Sequence, residues 1–213
     1  QALLSEELPE IFRQIFTSDD LLAGYLAYMV TFMAYFVSAF AVMAVQSLRN
    51  EETSTRLEPI LALPLTRTRW LLTQTTMTTL IAVVMLLVVG LALGTGAAFV
   101  TSDWTLVVEL GLAQLSYLPA VVLIMATAVL FFGILPRLIP ATWLLIALSV
   151  FLGSFGSMLD LPRLVMRLSP FMHLAEMPIE DFDLTAAASL TGIAIVGLIV
   201  GMFGLRQRDV SGG

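Results

Sequence analysis

The chain has 213 residues, of which 59% are hydrophobic and only 12% are charged, whereas a soluble domain normally carries about 25% charged residues. It contains no cysteine and no lysine, which excludes disulfides, thiolate metal sites, Schiff-base chemistry and the lysine-bearing phosphate loop of an ATPase. The net charge of −6 argues against nucleic acid as a partner, because nucleic-acid binding needs a basic surface.

The first 20 residues form an acidic, amphipathic segment that is distinct from the apolar remainder, residues 21–213. Apolar side chains recur at helical spacing in this segment, at Leu8, Ile11, Phe12, Ile15 and Phe16. The pattern predicts a helix that lies along the interface at the outer face of the membrane that the spans cross. A helix packed on its own domain is an equally good interpretation.

Five segments without a charged residue follow, and each is long enough to cross about 30 Å of hydrocarbon. One ionised residue at the centre of a membrane helix costs about 2.5–3.5 kcal/mol on insertion scales. The five segments therefore predict an all-α, polytopic transmembrane helix bundle. Pro119 is expected to kink the third span or to mark its entry into the membrane. The predicted spans are Leu21–Val45, Leu71–Val100, Leu110–Leu135, Leu138–Leu159 and Leu184–Leu205.

The arginines predict how the spans are oriented. One side of the predicted membrane carries most of them, at Arg49, Arg56, Arg67, Arg69, Arg137, Arg206 and Arg208. The positive-inside rule places this side in the cytoplasm, so the N-terminus lies outside and the C-terminus inside. An N-terminus on the outer side needs an earlier span to carry it across the membrane, so the chain is expected to be a piece of a longer protein. One more helix before the first span would give six spans.

Polar and aromatic side chains in the first two spans are candidates for a substrate path. Tyr28, Phe32, Tyr35 and Phe36 lie near one face of the first span and suit large apolar ligands, although helix packing or a lipid-facing stripe is the favoured interpretation. Hydroxyls of the second span, including Thr76 and Thr79, can line a polar vestibule, but bonding back to their own helix is favoured. Gly90-x-x-x-Gly94 and Gly197-x-x-x-Gly201 permit close helix contact, although such matches are common by chance.

Two segments outside the spans carry specific patterns. In the loop at 46–70, Thr55-x-x-Glu58 is a possible capping box for a short helix that Pro64 ends. Such a helix is suited to docking on a soluble partner, and an ordinary solvated loop is as good an interpretation. The segment 160–183 is too polar to span and too apolar for a free linker, so we expect it to fold back as short helices that dip into the outer interface.

The loop also carries a family resemblance. Arg49-x-Glu51-Glu52-Thr53-x-x-Arg56-x-Glu58-Pro59-x-Leu61-Ala62-x-Pro64-x-x-Arg67-x-Arg69-Trp70 resembles the coupling-helix region of type-2 ABC exporter permeases, which have the ABCG-like, type V exporter fold. It is most similar to the actinobacterial branch of polyketide-antibiotic or tetronasin exporters. Two further stretches agree with it, Ser169-Pro170-Phe171-x-His173 and Gly204-x-Arg206-x-Arg208-Asp209.

The resemblance implies a permease subunit in a bacterial plasma membrane that exports hydrophobic drugs or antibiotics and is not itself an enzyme. The chain would be the C-terminal half, with five of six helices, and segment 160–183 a re-entrant helix pair. Its partners would be a dimer of ABC ATPase subunits, a second permease half on the same or another chain, membrane lipid and a hydrophobic small molecule. ATP and Mg would bind to the ATPase, with no cofactor in this chain. The coupling helix, residues 50–63, would contact the ATPase through Glu51, Glu52, Arg56, Leu57, Glu58, Pro59 and Ile60.

Other functions remain as alternatives at this point. An ABC exporter of lipid or polysaccharide would have the same pattern, and a structural or signalling membrane subunit is possible. An intramembrane enzyme needs ionisable pairs within its spans, and a secondary transporter usually carries midplane carboxylates or broken helices. The predicted spans contain no charged residue, so both of these alternatives are disfavoured.

Overall fold

The computed structural model describes residues 18–53, 67–156, 159 and 161–208. The predicted amphipathic helix at 5–17 and most of the predicted coupling helix lie outside the described residues. Short 3-10 helices at Pro136–Leu138 and Pro170–His173 connect longer elements. The α-helices of the described residues are α1 (Ser18–Thr53), α2 (Arg67–Thr101), α3 (Thr105–Ser116), α4 (Leu118–Ile134), α5 (Ala141–Phe155), α6 (Arg163–Met166) and α7 (Leu184–Arg208).

Five helical segments are long and apolar enough to cross a membrane, which confirms the predicted all-α bundle. They have mean hydropathies between 1.9 and 2.5, and they match the predicted spans to within a few residues at most ends. The described chain contains no strand. The spans are Leu22–Arg49, Thr68–Thr101, Thr105–Ile134, Pro136–Phe155 and Leu184–Gln207.

The third span is divided at Tyr117, close to the predicted kink at Pro119. Helix α3 ends at Ser116, and Pro119 lies in the first turn of α4, where its missing N–H removes no bond that the helix needs. Because of this division, the two parts of the third span pack against different helices. Helix α3 packs along α2, whereas α4 packs along α7 and α1.

Glycines allow the closest helix contacts in the bundle. Helices α4 and α7 run parallel and share its most extensive interface, where a Cβ added at Gly133 would collide with the carbonyl oxygen of Gly201. At the α2–α3 interface, a Cβ on Gly94 would lie 2.6 Å from the Cα of Val107. Both G-x-x-x-G motifs therefore lie at helix contacts, as their sequences permitted.

The buried core surrounds α4, whose Ile124, Val129 and Phe132 are fully inaccessible. In the most apolar 18-residue windows of α2 and α7, only 22% is buried within the described chain. Their outward faces are apolar, with exposed residues such as Val88 and Ile193. A bundle with a small apolar core and apolar outer faces has the surface that lipid requires.

Candidate functional site

A cavity of about 200 Å³ lies at the end of the bundle where α1 and α4 begin and α5 ends. This is the end opposite to the loop that joins α1 to α2. The segment between α5 and α7 closes one side of the cavity. Its lining residues are Gly24, Ala27, Tyr28, Thr31, Tyr35, Tyr117, Gly153, Phe171, Met172, Glu176 and Ile179.

Three tyrosines are held in the cavity wall by hydrogen bonds between helices. Tyr35 donates its hydroxyl proton to the backbone carbonyl of Ser149 at 3.2 Å. The hydroxyls of Tyr117 and Thr31 are 2.8 Å apart, and the Tyr28 hydroxyl lies 3.4 Å from that of Ser154. These bonds join α1 to Tyr117, between α3 and α4, and to α5, so they fix the positions of the three rings.

Phe171 anchors the segment between α5 and α7 in this wall. Its ring meets the ring of Tyr35 edge-on, with centroids 4.6 Å apart, and lies 5.9 Å from the ring of Tyr117. It is 3% exposed and belongs to the main hydrophobic core. The described part of the segment contains the four-residue α6 and one 3-10 helix, and that these short helices dip into the outer interface stays a prediction.

The aromatic residues predicted for a substrate path divide into two groups. Tyr28 and Tyr35 line the cavity, whereas Phe32 and Phe36 do not. Phe32 stacks on Tyr28 at 5.9 Å and meets Phe36 edge-on at 5.3 Å. Phe36 is 58% exposed, so this ladder runs outward from the cavity along the surface of α1.

The threonines of α2 bond back to their own helix, as the favoured interpretation held. Thr76 donates to the carbonyl of Leu72 at 2.8 Å, and Thr79 donates to that of Thr75 at 2.8 Å. Both hydroxyl protons are therefore already used in hydrogen bonds within α2. Neither threonine lines the tyrosine cavity, so the structure does not unite the two sets of predicted path residues.

Tyr117 and Glu176 are among the cavity residues that the sequence did not predict. Tyr117 lies in a long apolar span, and Glu176 is an exposed acid between helices. Neither has a local pattern that indicates a cavity. Phe171 belongs to the stretch 169–173 that contributed to the family resemblance, and this was the only signal for it.

Comparison with known proteins places the chain in a family. The family described as the C-terminal domain of the multidrug efflux system permease Rv1217c matches residues 2–206. The chain belongs to this family. It is 31% identical over 189 residues to the multidrug efflux system permease protein Rv1217c of Mycobacterium tuberculosis, which covers 88% of the chain. The chain spans 34% of the length of that relative.

In this permease domain, the predicted coupling residues lie at the end of α1 or beyond it. Glu51 and Glu52 belong to the last turn of α1, so residues 50–53 continue the first membrane helix, where a separate coupling helix was expected. The reason is local, because residues 46–53 contain no glycine or proline to end the helix. The other coupling candidates lie outside the described residues: Arg56, Leu57, Glu58, Pro59 and Ile60.

The described residues beside this loop link α2 to α7. Arg206, near the end of α7, donates from Nε to the hydroxyl of Thr68 at 3.0 Å. Its guanidinium also lies 6.0 Å from the centre of the Phe203 ring, within the range of a cation–π contact. The end of the last span is thereby tied to the start of the second.

Proposed function

We propose that this permease domain is part of an ATP-driven ABC exporter that moves hydrophobic drugs or antibiotics out of a bacterial cell. The family match over residues 2–206 carries the proposal, because the relative is a multidrug efflux permease. The ATP-driven mechanism rests on the resemblance of residues 49–70 to coupling helices. The choice of antibiotics as substrates rests on the same resemblance.

ATP hydrolysis would occur in a separate dimer of ATPase subunits that holds ATP and Mg, and this chain would have no catalytic role. Segment 50–63 would contact that dimer on the cytoplasmic side. Glu51, Glu52, Arg56 and Glu58 would make charge-assisted hydrogen bonds with it, while Leu57 and Ile60 would pack into its surface and Pro59 would shape the turn. A second permease half, on the same or another chain, would complete the translocation path.

The bundle has a connection that suits this role. Segment 54–66 joins α1 and α2 directly, and the bond from Arg206 to Thr68 extends the connection to α7. Movement of the segment would therefore be transmitted to three membrane helices. The C-terminus would face the cytoplasm and residue 18 the outside, as the arginine distribution predicts.

The substitution Glu58→Arg tests the coupling role in the purified complex of ATPase and full-length permease. It replaces an acceptor with a longer donor of opposite charge, so drug-stimulated ATP turnover should be lost while the complex retains its thermal stability. Asp181→Arg makes the same charge change in an exposed residue at the other end of the bundle and should leave turnover unchanged. Normal stimulated turnover in Glu58→Arg would contradict the proposed coupling.

A further inference from the structure

We propose that the tyrosine cavity binds an alkylammonium headgroup, which would make organic cations a substrate class of this permease. The inference rests on the proposed export function for its physiological meaning, but the binding site stands on the geometry of the cavity alone. Four aromatic rings and one carboxylate converge there, from Tyr28, Tyr35, Tyr117, Phe171 and Glu176.

The charge of the cavity favours a cation. Glu176 is the only charged residue among the described lining residues, and it shares the cavity wall with Tyr35 and Tyr117. No ion pair to its carboxylate is present among the described residues. A cation that enters would find one carboxylate and four aromatic rings among the lining residues, and these are the groups with which aromatic cages recognise quaternary ammonium ions.

The hydrogen bonding of the tyrosines strengthens this preference. Tyr35 donates its hydroxyl proton to the Ser149 carbonyl, and the Tyr117 hydroxyl is hydrogen-bonded to that of Thr31. What these residues offer to a ligand is therefore mainly ring surface and oxygen lone pairs. An anion would find few donors in the cavity, whereas an alkylammonium group needs none.

The size of the cavity limits the ligand to a headgroup. Sites for drug-sized molecules have volumes of about 300–1,000 Å³, and this cavity has about 200 Å³. A trimethylammonium group fits such a volume, while the apolar tail that it carries would remain outside. The ladder of half-buried Phe32 and exposed Phe36 leads away from the cavity along α1 and provides an apolar surface for that tail.

A headgroup of this chemistry can come from a cationic amphiphile or from a membrane lipid. The two sources differ in charge, because a phosphocholine headgroup also carries a phosphate that Glu176 would repel. Choline therefore represents the cationic amphiphile, and phosphocholine represents the lipid. The neutral isostere 3,3-dimethyl-1-butanol has the shape of choline without its charge.

Binding is measured by saturation-transfer NMR titration of the full-length permease in nanodiscs of phosphatidylglycerol, which contain no choline headgroup. Choline should bind about tenfold more tightly than its neutral isostere, the difference that a cation–π site with a carboxylate produces. Equal binding of choline and the isostere would overturn the proposal. Preference for choline over phosphocholine supports a cationic amphiphile as the ligand, whereas the reverse preference would assign the site to lipid and overturn organic cations as the substrate class.

Two variants test whether choline binds in the tyrosine cavity. Glu176→Gln keeps the shape of the side chain and removes its charge, so choline should bind about two- to fivefold more weakly, as expected for the loss of an ion pair with an exposed carboxylate. Gly24→Leu fills the cavity, because a Cβ at Gly24 has no atom within 4 Å, and should abolish binding. Asp181→Asn removes an exposed acid that does not line the cavity and should bind choline as the wild type does. Unchanged binding in Glu176→Gln or Gly24→Leu would overturn the proposal.

Drug-stimulated ATP turnover separates this inference from the proposed function. If drugs stimulate turnover but the two cavity variants bind choline normally, the headgroup site is wrong and the exporter function stands. If choline binds as expected and no drug stimulates turnover, the site stands and the exporter function fails.

Discussion

Three glycines of α7 provide a graded test of how tightly it packs against α4. A Cβ at Gly192 has no atom within 4 Å, and one at Gly197 would be 3.6 Å from the Cβ of Ala126, an ordinary contact. One at Gly201 would be 2.7 Å from the carbonyl oxygen of Val129. All three glycines lie in α7, so their alanine substitutions differ mainly in the contacts that the added Cβ makes with α4.

The magnitude follows from two opposing effects. Alanine favours a helix over glycine by about 0.8–1.0 kcal/mol, and this gain is the same at each position. At Gly201 the neighbouring atoms are backbone atoms of Val129 and Leu130, which cannot rotate away, so the helices must separate by several tenths of an ångström. Overpacking of this kind costs about 1–3 kcal/mol. Gly201→Ala should therefore be about 1–3 kcal/mol less stable than Gly192→Ala.

Thermal unfolding of the purified full-length permease in detergent measures the difference. Each kcal/mol shifts Tm by about 2–4 °C in a domain of this size, so Gly201→Ala should melt about 2–12 °C below Gly192→Ala. Gly197→Ala should melt close to Gly192→Ala, since its added Cβ makes only a normal contact. Equal melting temperatures for the variants at 192 and 201 would refute the close packing of α4 and α7.

Three further predictions test other parts of the structure. The side-chain amide of Gln114 is buried without a hydrogen-bond partner among the described residues, so Gln114→Met should raise Tm by releasing about 1–3 kcal/mol of desolvation cost; a lower Tm would show that the amide is paired in the assembled protein. Phe171→Ala should remove about 3–5 kcal/mol of packing and speed hydrogen exchange in residues 161–183, whereas alanine at the 80% exposed Leu164 should not. In a cysteine-free background, an impermeant maleimide applied to intact cells should label Asp181→Cys and not Arg137→Cys, and the reverse pattern would invert the predicted topology.

The number of spans could be predicted from sequence because lipid imposes a simple requirement. A membrane helix needs about 20 residues without charge, and five segments of the chain meet that condition. The break at Tyr117 was also predictable in outline, since Pro119 cannot continue a helix without local adjustment. Neither inference depends on which residues touch one another.

The faces of the spans could not be predicted, because the hydrocarbon of lipid is as apolar as a protein interior. Tyr35 and Phe36 are neighbours in sequence, yet Tyr35 is 4% exposed and Phe36 is 58% exposed. Hydropathy does not distinguish them. The cavity was hidden for a second reason, since it unites α1 with Tyr117 and Glu176, which are distant in sequence and belong to no motif.

Helix α1 connects the two ends of the molecule on which the functional proposals depend. Its 36 residues extend about 54 Å at 1.5 Å per residue, and it contains no proline at which to bend. Tyr28 and Tyr35 on this helix line the cavity, and Glu51 and Glu52 form its last turn. A force on the loop after α1 would therefore tilt the cavity wall directly, without a chain of side-chain rearrangements between the two sites. The Tyr35 bond to Ser149 would then be among the first to change, because it joins the moving helix to α5.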